Sequence, residues 1–369
     1  MRIARQDFGP VHFADIPGWS VDDVSGAVAV LKRSSADLAV AMSAVDGVGA
    51  EAAERLRGQI NALADDIGEA DARRFFEANF TALTYRCEQS GLLTGYYEPI
   101  LTGSRLRRYA DQVPLYGLPG DLVKLSDDRM RGALNGELTA ARRVDGALVP
   151  YFSRLEIDAG ALSGRGLELL YLDDWVEAFF LHVQGSGIVR LDDGASVRVG
   201  YAGKNGYPYT SIGELLIVRG EIAPAEMTLE RLRQWLIADA ARGRSLIGEN
   251  ASYIFFVKQG GAGHSDGPLG ATGAVLEEGR SLAVDAGLID LGLAVFVVSE
   301  GLRHHGEDGF RRLMVAQDVG SAITGPQRGD IYWGSGEEAG RLAGRTSHAG
   351  RFFVLAPNEV AEKYGWRKV

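Results

Sequence analysis

The hydrophobic rhythm of the chain changes near residue 90. Up to residue 86, apolar side chains recur every third or fourth position in "DDVSGAVAVLKRSSADLAVAM", "GAEAAERLRGQINALADDI" and "EADARRFFEANFTALTYR", and this spacing predicts helices. Ser20 with Asp23 reads as a capping-box start, and Gly47-Val48-Gly49 and Gly68 break the pattern. From residue 91 the apolar runs are short and set apart by glycines and turn residues, which predicts mainly β structure. The expected strands are "GLLTGYYEPIL", "LELLYL", "AFFLHVQGSGIVRL", "SVRVGYAG", "SYIFFVK", "LAVDAG", "LAVFVVS", "RLMVAQD", "DIYWG" and "RFFVLAP". Helices interrupt them at "SIGELLIVRGE" (Ser211 cap, Gly220 stop), "TLERLRQWLIADAARG" (Thr228 cap, Gly243 stop) and "SGEEAGRLAG". Such short, glycine-rich strands with few crossover helices favour barrels over a doubly wound sheet. The expected class is mainly β with a helical N-terminus.

A length of 369 residues is long for one core and suggests two domains, or one with a large insertion. The net charge of −10 argues against a nucleic-acid partner, because phosphate binding needs a basic face. No run of about 18 apolar residues exists, so no membrane-spanning segment is expected. The opening "MRIARQDFGPVHFADIPGW" has no apolar core or small-residue cleavage site, so neither a signal peptide nor a lipid-anchor cysteine is read from it. Cys87 is the single cysteine; it excludes an internal disulfide and a thiolate cluster, and reads as a small buried hydrophobe. His12, His182, His264, His304, His305 and His348 do not fall at metal-ligand spacings, and His304-His305 reads as solvated. No metal and no cofactor are expected.

Two motifs point elsewhere and fail on context. Gly334, Gly336 and Ala339 make a G-x-G-x-x-A after a strand, but too little chain follows for a dinucleotide-binding half, and no acid stands about twenty residues on. The expected reading is a turn into a short helix, with Glu337 and Glu338 at its positive end. "GHSDG" around Ser265 matches a nucleophile elbow, yet a glycine-rich loop separates it from the preceding strand and no helix follows. The acids are more informative. Asp285, Asp318 and Asp330 each stand at an end of an apolar strand, where aspartate is depleted. Singly, each is a turn cap. Together, the tight "VGSAITG" between Asp318 and Asp330 lets neighbouring strands hold both carboxylates on one groove. Tyr332 and Trp333 beside Asp330 supply the apolar surroundings that make a general acid. "TGYYEP", "VQGSG" and "YAGKNGYPY" are hairpin turns individually and, taken together, resemble a polar-aromatic groove for a hydroxyl-rich ligand.

"TGYYEP", "VQGSG", "YAGKNG", "SIGELLIVRGEI", "LMVAQDVGSAITG", "DIYWGSGEEAGRLAG" and "GRFFVLAP" resemble, in order, the membrane-bound lytic murein transglycosylase A (MltA) family, and "IPGW" is similar to it too. The resemblance implies a double-psi β-barrel from residues 1–99 and 250–369 carrying the three aspartates. It also implies an inserted, β-rich, barrel-like substrate domain over 100–249, with a groove between the two. It implies cleavage of the β-1,4 bond between N-acetylmuramic acid and N-acetylglucosamine of peptidoglycan, leaving 1,6-anhydromuramic acid ends. Asp330 takes the family's acid/base position, and Asp318, if ionised nearby, raises its pKa. Thr94, Tyr96, Tyr97, Gln184, Ser186, Lys204, Asn205, Asp285 and Tyr332 are the implied substrate-binding residues. Family members are typically exported lipoproteins, which implies the periplasm or the periplasmic face of the outer membrane. Partners in cell-wall synthesis or division complexes stay unassigned. The rival expectations are a hydrolytic glycosidase using both Asp318 and Asp330, and a non-catalytic wall-binding module.

Overall fold

The computed structural model describes residues 7–86, 91–132, 134, 136–259, 267–303 and 309–366; Cys87, His264, Ser265, His304 and His305 lie outside them. The chain divides into two compact units, one of Met1–Tyr97, Leu269–Gly334 and Glu338–Val369, the other of Glu98–Pro268 and Ser335–Glu337. Among the described residues, no helix is long and apolar enough to cross a membrane.

In the first unit, helices α1 (Val28–Arg33), α2 (Ser35–Ser43), α3 (Ala50–Asn61) and α4 (Glu69–Asn79) precede the sheet strands that follow residue 80. The long helix expected from residue 20 is instead a 3-10 turn, Val24–Ala27, followed by α1 and α2. Asp23 rather than Ser20 caps it, accepting the Ser25 N–H at 3.1 Å, and the backbone kinks at Ser34. Strands β1 (Phe8–Pro10), β2 (Phe80–Tyr85) and β3 (Gly91–Glu98) open the fold.

The second unit holds β4 (Ile100–Ser104), β5 (Val113–Tyr116), β6 (Leu122–Lys124), β7 (Ala140–Val144), β8 (Ala147–Pro150), β9 (Glu168–Leu172), β10 (Ser186–Leu191), β11 (Ser196–Lys204) and β12 (Ile254–Gln259). Its helices are α5 (Asp128–Gly132), α6 (Arg154–Asp158), α7 (Trp175–Gln184), α8 (Ile212–Val218), α9 (Leu229–Ala238) and α10 (Ala240–Gly248). These strands form a six-stranded sheet, β12-β11-β10-β4-β9-β5, and a three-stranded one, β6-β7-β8. "AFFLHVQGSGIVRL" is not one strand. Asp174 caps Val176 N and Glu177 N, so the run starts as α7, and Gly185 at φ 86° ends the helix before β10. Gly243 does not stop a helix either. Asp239 breaks the run by capping Ala241 N and Arg242 N, and Gly243 lies inside α10, where a Cβ would meet the Leu236 carbonyl at 2.4 Å. Ser211 and Thr228 do cap α8 and α9.

The chain returns to the first unit with β13 (Ser281–Val284), β14 (Ala294–Ser299), β15 (Phe310–Asp318), β16 (Arg328–Ser335), α11 (Glu337–Arg345), β17 (Ser347–Pro357) and α12 (Asn358–Lys363). The eight-stranded sheet runs β1-β2-β17-β14-β15-β13-β16-β3, and β17 pairs again with β3. Every residue of β14 is buried, as expected for a strand covered on both faces. The described strands thus form sheets of eight, six and three, a mostly β chain with mixed helix and sheet. Gly334 and Gly336 have φ of 94° and 90° and lead into α11, so the G-x-G-x-x-A is a turn.

Asp22 ties the helical N-terminus to this sheet. Its buried carboxylate accepts from Arg280 Nη1 at 3.0 Å, Arg280 Nη2 at 3.3 Å and Leu313 N at 2.7 Å. Removing one partner of a buried pair strands the other charge. Asp22→Ala should therefore cost about 3–5 kcal/mol of stability, measurable as a lowered urea midpoint.

Candidate active site

β13 lies between β15 and β16. In register, Ala283 pairs with Asp330 on the antiparallel side and with Asp318 on the parallel side. Residues paired across strands share a face, so the two aspartates flank Ala283 on one face. Their backbones are two strand spacings apart, roughly 9–10 Å. Neither acid is at the free surface; both are half-buried.

β3 supplies the partners. Thr94 Oγ1 donates to Asp330 Oδ1 at 2.6 Å, and Tyr96 OH donates to Asp318 Oδ2 at 2.9 Å. Residues 94 and 96 share a strand face because side chains alternate with period two. Gly95 between them turns the other way, where a Cβ would lie 2.5 Å from Trp333 Nε1; the glycine lets the indole pack. Trp333 is fully buried and its Nε1 donates to Thr346 Oγ1 at 3.0 Å. The Tyr96 and Tyr332 rings lie 5.4 Å apart and wall the acids.

The two acids differ in their donors. Asp318 accepts from Tyr96 OH, Val319 N at 2.9 Å and Ala271 N at 3.1 Å. Burial raises its pKa, while those three bonds oppose the rise. Burial pushes Asp330 up to about 6; the Thr94 hydrogen bond and the Arg328 charge pull the other way, and the Asp318 charge adds to the rise. Three donors favour the Asp318 carboxylate, whereas a single hydroxyl meets Asp330. Burial also raises the Tyr96 phenol well above its ordinary value, with the Asp318 charge and hydrogen bond adding to it, which keeps it a donor. The site therefore holds two carboxyls with unlike hydrogen-bond partners on a shared face.

Thr94, Tyr96, Asp318, Asp330 and Tyr332 are thus brought together. Tyr97 is buried on the opposite side, against Gly340. Asp285 is a loop tie: Oδ1 accepts Gly287 N at 2.9 Å and Oδ2 accepts Gly325 N at 2.8 Å. Gln184, Ser186, Lys204 and Asn205 belong to the second unit. Gln184 ends α7 and Ser186 begins β10, paired with Gly200. Lys204 ends β11 and burial lowers its pKa. Asn205 is fully buried; its Nδ2 donates to Phe152 O and Ala251 O, and its Oδ1 accepts Tyr253 N, so the side chain is a backbone clamp.

Two charged residues with defined partners escaped the sequence reading. Arg328 stands two positions before Asp330 and contributes charge to it; the period-two spacing alone could have placed it on the same face. Glu98 in the second unit is completely buried, with Arg198 Nε at 2.7 Å and Ser335 Oγ at 2.6 Å. A glutamate next to proline at a strand end carried no such signal.

Residues 92–257 match the MltA specific insert domain, and residues 280–356, which contain β13 and both aspartates, match the 3D domain. The membrane-bound lytic murein transglycosylase A of Escherichia coli strain K12 is 37% identical over 268 residues, 71% of this chain; the chain spans 64% of that relative's length. A crystal structure of a membrane-bound lytic murein transglycosylase from Agrobacterium tumefaciens superposes with a TM-score of 0.86 at 33% identity, covering 97% of this chain and 99% of that one. The E. coli MltA structure with bound chitohexaose gives 0.69 at 28% identity, covering 96% of each chain. The chain belongs to the membrane-bound lytic murein transglycosylase A family.

Proposed function

We propose that this protein is a peptidoglycan lytic transglycosylase that works without metal or cofactor and uses Asp330 as its single acid/base. The observation that carries the reading is the pair of carboxyls flanking Ala283 with unlike surroundings, Asp330 pushed up to about 6 by burial and Asp318 held by three hydrogen-bond donors. In the first step Asp330 gives its proton to the glycosidic oxygen between N-acetylmuramic acid and N-acetylglucosamine, and the C1–oxygen bond breaks. The Asp318 carboxylate stabilises the oxocarbenium-like C1. Asp330, now a carboxylate, takes the proton of the C6 hydroxyl as that oxygen bonds to C1. The products are a free 4-hydroxyl and a 1,6-anhydro ring, and Asp330 regains its proton. A relative's structure holding chitohexaose supports a glycan strand as the ligand.

Residues 1–99 with 250–369 serve as the catalytic part, and 100–249 as the substrate-binding part. Gln184, Ser186 and Lys204 are its proposed sugar contacts, with Tyr96 and Tyr332 as walls near the acids. The double pairing of β17 supports reading the strands of the catalytic part as a double-psi barrel. The membrane-bound name of the E. coli relative supports a place in the periplasm or at the outer membrane. The second reading is a hydrolytic glycosidase in which the Asp318 and Asp330 carboxyls work around a water.

Mass analysis of digested sacculi separates the two: anhydro ends support the transglycosylase, and reducing ends sink it. Asp330→Asn should lower the rate by roughly 10²–10⁴. The same variant should not be less stable at pH 7. Because the folded pKa is raised, the aspartate binds its proton more tightly folded than unfolded, so its contribution falls as pH rises from about 4 to 6. The asparagine escapes that loss, and its urea midpoint at pH 7 should equal or exceed that of the wild type. As general acid, Asp330 must be protonated, so activity should fall as pH rises through about 6. Thr94→Val removes a bond that favours the carboxylate, so this fall should move up by roughly one pH unit.

A further inference from the structure

The face that Asp318 occupies depends on one extra residue. Leu282 pairs with Ala316, but the next residue, Ala283, pairs with Asp318, so Gln317 has no partner of its own in β13. In an unbroken register Ala283 would oppose Gln317, and Asp318 would oppose Val284 on the other face, away from Asp330. The bulge sets two residues against one and re-aims the side chain that follows.

Gln317 is built into that bulge. It is completely buried, as are Ser34 and Ser281. Its Oε1 accepts from Ser281 Oγ at 2.5 Å and its Nε2 donates to Ser34 Oγ at 2.8 Å. Its carbonyl accepts from Thr272 N at 3.3 Å, and a side chain at Gly270 would come within 2.6 Å of that oxygen. The neighbouring Ala271 N then reaches Asp318 Oδ1 at 3.1 Å. An apolar side chain of the same shape could fill this space; a buried amide between two hydroxyls adds direction, since each misplaced partner would be left unsatisfied.

We propose that Gln317 is a positioning residue, whose clamp between Ser281 and Ser34 holds the bulge that turns Asp318 toward Asp330. The role rests on the acid/base reading of Asp330 for its consequence in catalysis, but the positioning itself does not need that reading. Among the described residues, the charged groups that act on Asp330 are Asp318 from β15 and Arg328 from its own strand, with Tyr96 from β3 beside them. Of these, only Asp318 is held by the bulge.

The test compares wild type, Asp318→Asn, Gln317→Met and Ser281→Ala. The Asp330 carboxyl is titrated by carbon NMR on the free protein, and release of anhydro ends from sacculi is followed against pH. Losing the neighbouring negative charge lowers the Asp330 pKa, so Asp318→Asn should move both its titration and the alkaline fall in activity to lower pH. Gln317→Met should move both in the same direction, and Ser281→Ala should do so less. A Gln317→Met protein that melts earlier but titrates like wild type overturns the proposal and makes Gln317 a packing residue. If Gln317→Met does not fold, Ser281→Ala decides in the same way. A titration that moves in a protein releasing no anhydro ends supports the positioning role and removes the transglycosylase reading alone.

Discussion

The site depends on the hydrogen-bonded ladder on both sides of β13. This four-residue strand pairs in parallel with β15 and antiparallel with β16, and so brings two segments twelve residues apart in sequence into one row. Ala283 is the spacer of that row. Ladder bonds are individually modest, yet they cannot be broken singly without stranding buried backbone groups. The acids thus stand on strands paired on both sides, and β3 brings a hydroxyl to each.

The difference between the acids follows from counting donors. Burial raises the pKa of both carboxyls. Two backbone N–H groups and a phenol favour one carboxylate; a single hydroxyl meets the other. The phenol is kept protonated by its own burial and by the charge it serves. A small set of hydrogen-bond donors therefore gives two chemically identical side chains unlike surroundings.

How much of this was legible beforehand depended on how local each feature is. The change from helical to β rhythm, the caps at Ser211 and Thr228, and the aspartates at strand ends are local patterns. The turn at Gly334 and Gly336 was legible for the same reason. The change of rhythm comes earlier than read: "FTALTY", expected as helix, is strand β2 (Phe80–Tyr85), its β-branched and aromatic residues buried and paired with β17. "AFFLHVQ" was misread because a short apolar run suits either structure, and the cap at Asp174 decided it. Asp285 looked like Asp318 in sequence, but only one of them meets a hydroxyl from β3; pairing between distant strands is invisible in a single sequence. The bulge at Gln317 was hidden altogether, although a glutamine within "LMVAQD" is the kind of polar intrusion that marks one. Asn205 lies on a motif shared with a sugar-binding family, yet its amide is used up by backbone groups.

Placing a single strand between the two acids has a consequence for how such a site can vary. Strand spacing is fixed by the geometry of the peptide hydrogen bond, so the gap between the acids changes only in whole steps of about 4.8 Å. Point substitutions can alter the acidity of either carboxyl by adding or removing donors, but they cannot bring the two gradually closer. The proton affinity of the site is continuously adjustable, whereas its reach is set in discrete units by the topology of the sheet.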